Sequence, residues 1–112
     1  MRHDGELVPR PEKSPAALKA ALSVVAADRL PELVNDQTRA MAEALKGGTI
    51  NPLRSFVAHW AAVVEIERVP QSAAAYHRAN YLASHAETVE ECRTNAAEVA
   101  TIYRVVYTAV NE

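Results

Sequence analysis

The sequence predicts an all-α fold, a compact bundle of four to five helices behind a disordered N-terminal tail. Three observations carry that reading. Ser14-Pro15, Leu30-Pro31 and Asn51-Pro52 each stand at or near the start of an Ala- and Leu-rich run. Proline is tolerated in the first helical turn, where its missing N–H would have no intrahelical partner. Apolar residues recur at i, i+3, i+4 and i+7, and no stretch offers a usable strand. From Gln71 to Val110 there is neither Gly nor Pro.

Residues 1–13 carry Pro9 and Pro11, many charges and little periodicity, and are expected to form a flexible tail. Residues 14–112 then make a single helical domain. The first helix is expected over Pro15 to about Ala27, with Ser14 as N-cap and Leu18, Ala21, Leu22 and Val25 as its stripe. A break near Asp28 leads into a second helix over about 29–46. Its stripe is Leu30, Leu33, Val34, Met41 and Leu45, with Thr38 and Ala44 between them. Gly47-Gly48 ends it, because glycine reaches positive φ without penalty.

The third helix has the strongest start signal, Asn51 as cap and Pro52 at the first position, and should reach about Arg68. Leu53, Phe56, Val57, Trp60, Val63 and Val64 make it the central core helix. Val69-Pro70 ends it, since the residue before proline avoids the αR region. A fourth helix near 72–87, capped by Ser72, and a last helix with Val99, Ile102, Tyr103, Val106, Tyr107 and Val110 on one face complete the bundle. The break between them falls between Thr88 and Asn95, where two boxes place a cap residue three positions before a Glu. A bent continuous helix is the alternative. The predicted core is Leu18, Leu22, Leu33, Val34, Met41, Leu45, Leu53, Phe56, Val57, Trp60, Val64, Val99, Tyr103 and Val106.

Composition bounds the function. Twelve Lys+Arg face 14 Asp+Glu, a formal charge of −2, and the basic residues are spread almost evenly. Nucleic-acid binders concentrate positive charge on one face, so nucleic acid is not the expected partner. A single cysteine, Cys92, excludes an intramolecular disulfide and suits a reducing compartment. No apolar run approaches the ~20 residues of a membrane span, and the N-terminus lacks a signal-peptide core. A cytoplasmic protein without membrane contact is expected. An Ala-rich core buries little area per residue, which favours a protein partner or a homo-oligomer.

No catalytic, cofactor-binding or metal site is expected. His77, Tyr81 and His85 share a helix face, but the two imidazoles lie roughly 12 Å apart along the axis. They cannot hold one zinc as a His-x-x-x-His pair does. Cys92 lies seven residues beyond His85, out of hydrogen-bond reach in a straight helix, and reads as a small buried hydrophobe. Glu65 and Glu67 point about 200° apart and read as a solvated helix end. Trp60 is core, and His59 beside it is a boundary residue in need of a hydrogen-bond partner. Tyr81, Tyr103, Tyr107 and Val110 are the candidate interface residues, tyrosine being enriched in binding hot spots. The second and third helices have a helix-turn-helix outline. The end that would read bases, however, carries Leu53, Phe56 and Val57 with Arg54 as its only base.

Ser14-Pro15-Ala16-Ala17-Leu18, Ala21-Leu22, the acidic second helix ending near Ala44-Leu45, and Asn51-Pro52-Leu53 followed by Phe56-Val57 and Trp60 resemble a family of small actinobacterial helical proteins, a domain of unknown function. The resemblance covers roughly residues 14–68. The Gly47-Gly48 linker and the long C-terminal region depart from it. Some members lie beside toxin genes of the ribosome-dependent ribonuclease type, so the resemblance implies an antitoxin-like or regulatory binding role. It supplies no catalytic residues. The function expected is that of a non-enzymatic protein-interaction module, with a toxin as one possible partner. The alternatives are a DNA-binding transcriptional regulator and a small helical ligand- or metal-binding protein using His59, His77 or His85.

Overall fold

A computed structural model describes residues 5–112; the first four residues of the expected tail lie outside the described ones. Five helices and one short 3₁₀ turn follow in order, with no strand among the described residues. Helix α1 spans Pro15–Val25, and the Ser14 hydroxyl accepts the Ala17 N–H at 3.2 Å. The expected break is a 3₁₀ turn, Ala27–Arg29, and α2 follows over Leu30–Gly47. It closes at Gly48, whose φ of +69° is a left-handed conformation that a side chain would strain. Helix α3 spans Asn51–Arg68. Asn51 is not its cap as expected: it lies inside the first turn, and the Thr49 hydroxyl accepts its N–H at 3.2 Å.

Helix α4 spans Pro70–Ser84, two residues ahead of the expected start. Val69 alone separates it from α3, with φ −108° and ψ 107°, the extended geometry that a following proline imposes. Ser72 is therefore within the helix, and its hydroxyl donates to the carbonyls of Ile66 and Val69 at 2.8 and 3.0 Å. The Ile66 carbonyl is one of those that the end of α3 leaves open, whereas the Val69 carbonyl also accepts the Ala73 N–H at 3.0 Å. Helix α5 spans Val89–Asn111. The first of the two capping boxes is the one used. Thr88 accepts the Glu91 N–H at 3.1 Å, whereas Asn95 sits mid-helix and donates to the Glu91 carbonyl. Residues 71–110 are thus two helices, parted at residues 85–88.

The core forms where α1, α2 and α3 meet. Leu18, Leu22, Leu33, Trp60 and Val64 are completely buried, and Phe56 nearly so. Small residues close the gaps: Ala21, Ala40, Ala61 and Ala62 are buried and let the helices approach. Each large member of this set contributes about 1.5–3 kcal/mol by leaving water. Leu53, Val57, Tyr103 and Val106 pack at its edge. Three predicted core residues are not core: Val34, Met41 and Leu45 are 41%, 52% and 84% exposed. Val99 is only half-buried. The radius of gyration, 15.3 Å, exceeds the about 13 Å of an ideally compact chain of this length. The difference fits the α4–α5 limb, which buries only Ala79 and Val110.

Residues 5–13 form no helix or strand, as expected of the tail, but they are tied down. The Leu7 N–H donates to the Arg68 carbonyl at 2.8 Å, and the Val8 side chain packs on the core. Arg68, almost wholly buried, reaches Glu6 at 2.9 Å, Glu65 at 2.7 Å and the Val8 carbonyl at 3.3 Å. Arg10 forks onto the same Glu65 carboxylate at 2.8 and 3.0 Å. Glu65 and Glu67 are therefore not a solvated helix end. Glu67 is buried and accepts from His77 Nε2 at 2.8 Å.

Candidate interaction surface

A helix advances 100° per residue, so its apolar arc divides into rows. On α2 one row faces the bundle: Leu33 and Ala40 are buried and Leu30 packs beside them. A second row, Val34, Thr38, Met41 and Leu45, lies on a sector of about 60° turned away from it. Among the described residues this row is only partly covered, and its exposure rises toward Leu45, the most exposed of the three apolar members. The Thr38 hydroxyl donates to the Val34 carbonyl at 3.0 Å and needs no outside acceptor. The flanking positions are Asn35, Gln37, Ala42 and Ala44, none of them charged. The row is thus a strip of three apolar side chains and one threonine in a neutral surround.

The opposite edge of α2 meets α3 in an open cleft of about 520 Å³. Asp36, Arg39, Glu43, Asn51, Ser55 and His59 rim it, and Phe56 and Trp60 form its floor. The Trp60 indole N–H donates to Asp36 Oδ2 at 3.2 Å, and the other carboxylate oxygen pairs with Arg39. Arg29 lies over the Trp60 ring at 5.2 Å, a cation–π contact. His59 Nδ1 is 2.6 Å from the Tyr103 hydroxyl, which meets the need for a partner expected of it. Burial pushes the His59 imidazole below its usual range, against the weaker opposing pull of Asp36. Burial also pushes the Tyr103 phenol up, aided by Tyr107. Both groups are neutral near pH 7, so the pair is a hydrogen bond between α3 and α5 and carries no charge. Ser55 lies one turn from His59, with no hydrogen bond joining the two. Among the described residues, no three His, Cys, Asp or Glu side chains gather where a metal ion would sit.

The four candidate interface residues separate. Tyr81 is 61% exposed on α4, its ring stacked on His85 at 4.1 Å. Tyr103 is half-buried against His59, with Tyr107 at its edge, ring centres 5.8 Å apart. Val110 is buried and belongs to the core, because the last turn of α5 folds onto α3 with Asn111 Nδ2 donating to the Ala58 carbonyl at 3.0 Å. His77 is taken by Glu67 and His85 by Tyr81. Cys92 is exposed rather than buried as expected, because it lies near the start of α5, a helix that buries only Val110. Sequence reasoning missed Val34, Met41 and Leu45 as surface residues. The signal was the width of the α2 arc, two apolar rows where one neighbouring face covers only one.

Comparison with protein-family models, curated proteins and solved structures returns no match to this chain. No described helix is long and apolar enough to cross a membrane.

Proposed function

We propose that this chain is a non-enzymatic protein-interaction module that docks a partner helix along the outward row of α2. The observation that carries the reading is the exposure of Val34, Met41 and Leu45. They recur at core spacing, yet among the described residues they are left 41% or more open to water, Leu45 most of all. An isolated exposed Leu is ordinary, whereas a contiguous apolar row with a polar remainder is the mark of a docking face. A helix laid against such a row is a recurrent mode of recognition, read through anchors at i, i+4 and i+7. The neutral flanks favour a partner helix whose own apolar face is uncharged. The family resemblance adds an antitoxin-like or regulatory setting, with a toxin as one such partner, in a cytoplasmic compartment.

The DNA-reading alternative draws little support, because at the end of α3 that would enter a groove Leu53, Phe56 and Val57 pack on the core and Arg54 is the only base. The ligand-binding alternative has the α2–α3 cleft, whose volume suits a small molecule, but its charged rim is already paired at Asp36 and Arg39.

The test compares two tagged baits in native lysate, the wild-type chain and M41D/L45D. A stoichiometric protein held by the first and lost from the second is the expected result. Identical eluates from both baits overturn the reading.

A further inference from the structure

We infer that the C-terminal end of α3 is a recognition site for an extended peptide, and that residues 6–10 of this chain occupy it as a releasable strap. The contacts define the class of peptide: a carboxylate, an aliphatic side chain and a guanidinium at alternate positions. The site lies apart from the α2 row and does not rest on it. Its receiving side is built within α3. Arg68 Nε and Nη2 fork onto the two Glu65 oxygens at 2.7 and 3.1 Å. Under the strap these side chains are 7% and 13% exposed. A bidentate pair of this kind fixes the geometry of both partners. The fork leaves Arg68 Nη1 free to donate outward and the carboxylate free to accept from a second cation. The Arg68 carbonyl, at the end of the helix, is an acceptor that α3 leaves open.

The strap meets each of these groups. Glu6 Oε1 and the Val8 carbonyl accept from Arg68 Nη1 at 2.9 and 3.3 Å. The Leu7 N–H donates to the Arg68 carbonyl at 2.8 Å. Arg10 forks onto Glu65, and the Val8 side chain packs on the core. Glu6 and Val8 are half-buried while Leu7 and Pro9 face water, the alternation of an extended chain. A segment held by main-chain bonds, with places for alternate side chains, is a recurrent mode of peptide recognition. The hold is also slight. The Arg10 side chain is 52% exposed and Leu7 49%, and segments with few buried contacts open locally at low cost. The Glu65–Arg68 fork does not depend on the strap, so opening uncovers an ordered site. The strap is thus a tethered competitor, and a partner segment binds only during the fraction of time the site is open.

The test uses the full chain and a blocked, fluorescent peptide of residues 5–11. E6A/V8A/R10A truncates the anchors of the strap and keeps Glu65 and Arg68. This variant should keep its helical circular dichroism and bind the peptide about tenfold or more tighter than wild type, read by fluorescence anisotropy. Glu65→Gln added to it should weaken binding about tenfold, because the charge that receives the guanidinium is gone. A peptide with the residues of positions 6 and 10 exchanged should bind neither chain. In the wild-type chain, excess peptide should speed amide exchange at Leu7 by displacing the strap.

An opened variant that leaves the peptide unbound up to about 1 mM, the weak limit of specific affinity, overturns the inference. Equal binding of the exchanged peptide overturns it too, because the site would then read no pattern. Equal affinity of wild type and variant overturns the strap as competitor. If the variant loses its helical signal, the wild-type chain decides: Leu7 exchange that excess peptide leaves unchanged overturns the inference.

Discussion

The α1–α3 unit and the α4–α5 limb are built from similar amino acids and held by different means. In the first, Leu18, Leu22, Leu33, Trp60 and Val64 are fully out of water. In the second, 38 helical residues across Pro70–Ser84 and Val89–Asn111 bury only Ala79 and Val110. The limb relies on its own helix caps, on edge contacts such as Tyr103 with His59, and on the polar join of Glu67 with His77. The lesson is that helical content and packing are separate quantities here. Alanine makes a good helix anywhere, but only the large side chains of α1 to α3 anchor one.

The sharpest way to break this contrast is to remove its anchor. Trp60→Ala takes away a fully buried indole and should cost about 3–5 kcal/mol, read as a large drop in urea midpoint. Val105→Ala on the exposed face of α5 should stay within about 0.5 kcal/mol. Comparable losses from the two variants would mean that the limb is as tightly packed as the core.

Next in size is Arg68→Ala, which leaves the buried end of Glu65 short of one partner and releases Glu6 and Val8. A loss of roughly 1–3 kcal/mol is expected, with residues 5–10 becoming fast in hydrogen exchange while α5 stays as before. The same cluster has a pH signature. Burial alone would raise the Glu65 carboxyl, but its hydrogen bonds to Arg10 and Arg68 outweigh that and hold it below the usual range. A carboxyl depressed on folding contributes stability that is full above its unfolded pKa, near 4.3, and lost as pH falls through the folded value. Glu65→Gln should therefore flatten the acid limb of a stability–pH curve below about pH 4.3. An unchanged slope would remove Glu65 as its source.

The smallest effect compares the two caps. Ser14→Ala and Thr88→Ala each remove one side-chain cap, worth about 0.5–2 kcal/mol. Thr88→Ala should appear mainly as faster exchange at the start of α5, because few buried contacts hold that end. Ser14→Ala should appear in the global unfolding midpoint. Global loss of equal size from both would show the limb and the core unfolding as one unit.

How legible the molecule is from its sequence follows the same division. The proline starts, the glycine stop at Gly48, the Thr88 cap and the Trp60 stripe are local signals, and the structure uses each. Val34, Met41 and Leu45 read as core because periodicity reports that a face is apolar, not that something covers it. Glu65 and Glu67 read as solvated because their partners, Arg10 and His77, lie 55 residues before one and ten after the other. Ion pairs across such distances leave no spacing to detect. Val110 reads as surface because a last turn gives no sign of which neighbour it will meet.

Val69 is the only residue between α3 and α4, and the ring of Pro70 restricts the torsions on both sides of the bond that joins them. The corner therefore works as a stiff elbow. Helix α4 is a lever of about 22 Å beyond it, so a 10° change at that one residue would carry the far end of the limb through about 4 Å. A bend at Val69 would be largest at Tyr81 and His85, and the packing of α4 along α5, itself seated on α3, is what holds that tip in place.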